Sequence, residues 1–145
     1  AIGAGVAVHG WLYLGGTPQN GGPPFRTIVD SGIHAGAGSD AAAVSVFAPW
    51  LEIYYMVTGN NSAREMINPG QQLTRLEALR LYTSENGWYT HEENRLGTIE
   101  VGKLADLAVL SDDYLDPAKV SDEAIKKLNS VLTVVDGKVV HDDLR

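Results

Sequence analysis

Short β-branched runs alternate with stretches of helical period along this chain, and their order predicts an α/β protein. Gly5 to His9 (GVAVH) carries Val6 and Val8 and predicts a strand, followed by a Gly- and Pro-rich loop from Gly15 to Pro24. Pro24 through Ser31 (PFRTIVDS) can open a helix with proline in its first turn, and Gly32 suits a left-handed end. Ile33 to Gly38 (IHAGAG) predicts a second strand of small residues, delivering Ser39 and Asp40 at its carboxyl end. Strand, helix and strand in that order imply a parallel pair with a right-handed crossover.

After the loop AAAVSVFA, Trp50, Ile53, Tyr54 and Val57 recur at helical spacing, so one face of a helix over 49–58 is core. Thr74 followed by Glu77 forms a capping box, and the helix it opens (TRLEALRLYTSEN) is expected to close at Gly87. LGTIEVGKLADLAVL predicts a turn at Gly102 and Lys103 before a strand from Ala105 to Leu110. Ser121 can cap a short helix (DEAIKKL) whose acids fall in its first turn and lysines in its last. Val131 to Val135 and Lys138 to His141 flank Asp136 and Gly137, a dipeptide suited to a two-residue hairpin turn.

Composition sharpens this reading in three ways. With 145 residues, 44% apolar and 20% charged, the chain can build a core, which excludes disorder. A net charge of −7 argues against nucleic acid or anionic lipid as a partner, and no run reaches the length of a membrane span. The absence of cysteine excludes disulfides and thiolate metal sites. Charge is also uneven: no acidic or basic side chain precedes Arg26, ten of the sixteen glycines precede Asp40, and all five lysines follow residue 100. The opening therefore reads as buried interior strand, and the shift suggests a boundary near 90–100.

Asp40 is the strongest candidate for chemistry, because α/β folds put their sites at the carboxyl ends of parallel strands. By alternation His34, Gly36, Gly38 and Asp40 share one side, where the glycines leave room for neighbouring side chains or a ligand. On spacing alone an Asp here is more commonly a cap or turn residue. His9 would emerge at the same edge and line a site. His34 lies about 20 Å down the strand from Asp40, too far to share an ion, and is expected to be hydrogen-bonded at the strand's start. His91 and His141 read as solvated, and no two of the four histidines have metal-pair spacing. GGTPQNGGPP lacks the lysine of a phosphate loop, Ser39 lacks a nucleophile elbow, and Asp112, Asp113 and Asp116 read as a solvated loop.

Three stretches resemble the carboxyl-terminal part of metal-dependent hydrolases of the amidohydrolase superfamily, nearest to its amidohydrolase 3 branch. GPPFRTIVDSGIHAGAGSD resembles the helix and final strand of the family's barrel, where Gly-Ser-Asp ends strand eight. TRLEALRLYTSENGW resembles the following helix, and LGTIEVGKLADLAVLSDDY with VLTVVDGKVVH resembles a small β domain built from the chain's ends.

The resemblance implies the last two strands and helices of a (β/α)8 barrel of the TIM type over 1–95, followed over 96–145 by the carboxyl-terminal half of a composite β-sandwich. It implies hydrolysis of carbon–nitrogen bonds in a small-molecule substrate by a metal-activated water, with a divalent metal, zinc by preference. Asp40 matches the family's metal-contacting aspartate and general base, and His9 would face the substrate. The family's histidine ligands from strands one, five and six have no counterpart here. The chain alone is therefore expected to bind no metal, to be inactive, and to need the missing amino-terminal part of the same protein. Homo-oligomerisation stays open, and cytoplasmic placement is the default. Two alternatives remain at this point: a natural short scaffold or assembly module completed by a partner chain, and an isomerase or lyase relative on the same barrel.

Overall fold

A computed structural model describes residues 4–8, 22–41, 47–61 and 63–144. The elements run β1 (Gly5–Val8), α1 (Phe25–Asp30), β2 (His34–Ala37), α2 (Pro49–Thr58), α3 (Arg75–Tyr82), α4 (Gly87–Thr90), β3 (Leu107–Leu110), α5 (Asp122–Ile125), β4 (Ser130–Val135) and β5 (Lys138–Asp142). The fold is α/β. Strands β1 and β2 pair in parallel, and β3, β4 and β5 form an antiparallel sheet in that order.

Local signals explain most boundaries. Pro49 opens α2, and Gly59, at φ 72°, closes it by donating its N–H to the Tyr55 carbonyl at 2.8 Å. The capping box of α3 forms in full: Thr74 accepts from the Glu77 N–H, and the Glu77 carboxylate accepts from the Thr74 N–H at 2.8 Å. Asp136 and Gly137 take φ values of 49° and 73°, as a tight two-residue hairpin turn requires.

Two expected helix ends differ. The run from Thr74 does not continue to Gly87; α3 stops at Tyr82, where the Thr83 hydroxyl bonds back to the Leu79 carbonyl at 2.9 Å. Gly87 instead begins α4, packed so close to the backbone of Glu93 that a Cβ would come within 3.1 Å of its Cα. Likewise α5 ends at Ile125, before the lysines. Lys126 bonds Glu123 at 2.8 Å and sits 4.3 Å from the centre of the Tyr54 ring. Ser121 stands at the N-cap position without a side-chain bond to the helix.

One buried cluster draws on both sides of residue 96. Val8, Phe25, Ala35, Ala37, Ile53, Tyr54, Met56 and Leu81 pack with Tyr114, Val120, Ile125 and Leu128. Trp50 is half-buried beside Tyr114, with ring centres 5.2 Å apart. A polar tie across this cluster is Arg75, with only 11% of its side chain exposed. Its guanidinium donates to the Tyr114 and Val120 carbonyls, each at 2.7 Å, and to Asp122 at 2.6 Å. Those bonds orient the loop leading into α5, in place of a Ser121 cap. From the other direction Arg26 of α1 grips Glu77 with two bonds of 2.9 and 2.6 Å.

The three-stranded sheet keeps an open apolar face. Its register aligns Leu107 and Val109 with Val134 and Leu132, and Val139 with Val134, all on one side. Val109 and Val139 are 45% and 60% exposed.

Two outcomes follow from the arginines. The hydrogen bonds from Arg26 hold the Glu77 carboxyl at about 2, well below its ordinary 4.5. Because the folded value is depressed, this contribution is complete above pH 4.5 and is lost as pH falls toward 2. Arg26→Ala should cost about 1–3 kcal/mol at neutral pH and flatten the stability profile across that window, read by urea unfolding. Arg75→Ala should cost about 2–4 kcal/mol, and Arg75→Lys should recover little of it, since one ammonium nitrogen cannot span acceptors that the two ends of the guanidinium fork reach separately. A Lys variant with the wild-type urea midpoint would contradict this account.

Candidate active site

Asp40 lies at the carboxyl end of β2, the end where parallel strands present side chains to a ligand. It is exposed and takes φ 51°, a left-handed conformation that Asp tolerates better than most residues. Just before it, the Gly38 N–H donates to the Val8 carbonyl at 3.0 Å, so pairing with β1 persists to the strand's last peptide. Ser39 is half-buried between them.

The register puts Gly5, Ala7, His34 and Gly36 on one face of the pair and Val6, Val8, Ala35 and Ala37 on the other. The second face belongs to the core, with Val8, Ala35 and Ala37 buried. The room left by Gly5 and Gly36 on the first face is filled by the chain itself, while the space beside Gly38 is open among the described residues. A Cβ on Gly36 would run into the Asn86 side-chain oxygen and come within 2.7 Å of the Tyr89 ring; one on Gly5 would meet Trp88 at 2.6 Å. The Tyr89 hydroxyl donates to the Val6 carbonyl at 2.6 Å and lies 3.2 Å from the His34 carbonyl. Burial pushes that phenol above its ordinary pKa, which keeps the proton it donates. Asn86 donates from Nδ2 to the Ala37 carbonyl at 3.0 Å.

The described histidines do not converge. His9 lies outside the described residues. His34 is exposed at the start of β2, and its ring stacks on Trp88 at 4.4 Å with 14° between planes, a ring contact where a hydrogen bond was expected. His91 is exposed at the end of α4, and His141 lies on β5, 3.1 Å from the Ser130 carbonyl. Among the described residues no three His, Cys, Asp or Glu side chains come together as a metal group. An exposed carboxylate at a strand end is the right donor for a divalent ion, but a zinc site needs three protein ligands. Among the described residues Asp40 has no such companions.

An open cleft of about 380 Å³, lined by Val29, Ile33, His34, Glu77, Arg80 and Glu85, lies at the opposite, amino end of β2. It does not adjoin Asp40. The acidic loop behaves as surface: Lys119 bridges Asp113 at 3.2 Å and Asp116 at 4.0 Å. No described helix is long and apolar enough to cross a membrane. The residues that sequence reasoning missed are Asn86, Trp88 and Tyr89. Their signal was an aromatic pair directly after Gly87, facing two strand glycines far away in the chain.

Comparison with known proteins agrees with this geometry. N-substituted formamide deformylase of Arthrobacter pascens is 30% identical over 114 residues, 79% of this chain and 20% of that protein. YtcJ of Bacillus subtilis (strain 168) is 32% identical over 123 residues, 81% of this chain and 22% of that protein. The chain thus spans about a fifth of the length of these relatives. Among solved structures, a mutant of atrazine chlorohydrolase TrzN from Arthrobacter aurescens TC1, complexed with zinc and atraton, aligns with a TM-score of 0.60 at 23% identity, over 86% of this chain and 29% of that one. A Xaa-Pro dipeptidase with methionine in its active site aligns with a TM-score of 0.58 at 25% identity, over 81% and 24%. Residues 3–141 match the amidohydrolase family, from before β1 into β5, and the chain belongs to that family.

Proposed function

We propose that these residues form the carboxyl-terminal part of a metal-dependent hydrolase acting on carbon–nitrogen or related bonds of a small molecule. The observation that carries this reading is Asp40 at the end of β2 in a chain that matches the amidohydrolase family throughout. In the complete hydrolase Asp40 is the metal contact and the general base. A bound divalent ion, zinc by preference, would supply the acidity that makes water a nucleophile near neutral pH. What this chain contributes is a carboxylate held at an exposed strand end, able to accept a proton. His9, which follows Val8 in the sequence and lies outside the described residues, is the proposed substrate-side residue.

The domain reading has its own support. Two parallel strands cannot close a barrel, so β1 and β2 need neighbours along their outer edges. The open face of β3 to β5, with Val109 and Val139 exposed, has the character of half a sandwich whose second sheet comes from the amino-terminal part of the protein. In this reading residues 1–95 belong to the barrel and 96–145 to the composite domain.

Elemental analysis of the 145-residue chain should find well under one zinc per chain; one tightly bound zinc, lost in Asp40→Asn, would overturn the incomplete ligand set. In the complete hydrolase, Asp40→Asn should lower kcat by about 10²–10⁴-fold, and wild-type turnover would remove Asp40 from the mechanism. Val139→Asp should shift the stability of the 145-residue chain by less than about 0.5 kcal/mol while clearly lowering the melting temperature of the complete protein. Equal effects in both would argue against a partner sheet.

A further inference from the structure

Asn86 occupies the N-cap position of α4, where an asparagine side chain ordinarily caps its own helix, yet it makes no such bond. Its amide turns instead to β2 and donates to the Ala37 carbonyl at 3.0 Å. The N–H of the same peptide, that of Gly38, is held by the Val8 carbonyl at 3.0 Å. Because a trans peptide directs its C=O and N–H oppositely, the Ala37–Gly38 peptide is fixed from both sides. Two residues later the chain enters the left-handed turn at Asp40, with φ 51°. Gly36 makes the approach feasible, since any Cβ there would strike the Asn86 side-chain oxygen. Tyr89 continues the grip on β1 through its 2.6 Å bond to the Val6 carbonyl.

We propose that Asn86 is a positioning residue for the active site: by fixing the last peptide of β2 it sets the direction in which Gly38 to Asp40 leave the strand. The inference rests on the reading of Asp40 as the site carboxylate. Asn86 touches neither substrate nor metal in this account; it acts through the backbone.

The test compares Asn86→Ala with Asn86→Asp, which keeps the volume but has no N–H to donate at neutral pH. In the 145-residue chain, the Gly38 amide should exchange with solvent about tenfold faster in both variants, as expected for one lost hydrogen bond. In the complete hydrolase, both should lower kcat about tenfold with KM within about twofold, and Asn86→Ser, which retains a donor, should recover part of the loss. Wild-type Gly38 protection and wild-type kcat in Asn86→Asp would mean that Asn86 only fills space, and would overturn the proposal. Full turnover in Asp40→Asn would instead defeat the reading of Asp40, and the Gly38 exchange rates, which need no catalysis, tell the two failures apart.

Discussion

The first turn of α3 is where the rest of the molecule is tied together, because one guanidinium group finds its acceptor there and another reaches out from it. Arg26 comes in from α1 and meets Glu77, whose carboxylate also closes the capping box on Thr74. Arg75 leaves the same turn in the other direction and satisfies two backbone carbonyls and Asp122 near α5. A carbonyl facing a nearly buried cation has few substitutes for it, so these contacts dictate how the β1–α1–β2 unit and the segment after residue 110 share one core. Tyr114, whose backbone accepts from Arg75 and whose hydroxyl donates to the Arg75 carbonyl at 2.9 Å, belongs to both sides of that junction.

From this junction the chain returns toward the β1–β2 pair, and the early end of α3 lets it do so. Stopping at Tyr82 brings Asn86, Trp88 and Tyr89 onto the glycine face of the strands. A helix continuing to residue 86 would have carried them past it. Gly36 of β2 is thus explained by the bulk of what covers it, while Ala35 and Ala37 face the core, and the clasp ends at the Ala37 carbonyl.

The same economy leaves other surfaces open. Apart from the Ala37 carbonyl, which Asn86 holds, the outer edges of β1 and β2 and the apolar face of β3 to β5 carry pairing and packing capacity that the described residues do not use. The matched residues make up only about a fifth of the length of the curated relatives, so most of each relative has no counterpart in this chain.

By itself the sequence determined the elements whose causes are local: the proline and glycine that bound α2, the capping box of α3, the Asp136–Gly137 turn, the parallel order of β1 and β2, and Asp40 at a strand end. Each depends on residues within a few positions of one another, or on strand order alone. Tertiary structure decided where side chains far apart in sequence meet. Asn86 and Ala37 are 49 positions apart, Arg75 and Asp122 are 47 apart, and no periodicity encodes either pair. It also decided that Glu52 of α2 is wholly buried, close enough for its charge to help burial raise the Tyr82 phenol above its ordinary pKa. Helical spacing identifies an apolar face; whether the opposite face meets water or another element depends on what the rest of the chain brings against it.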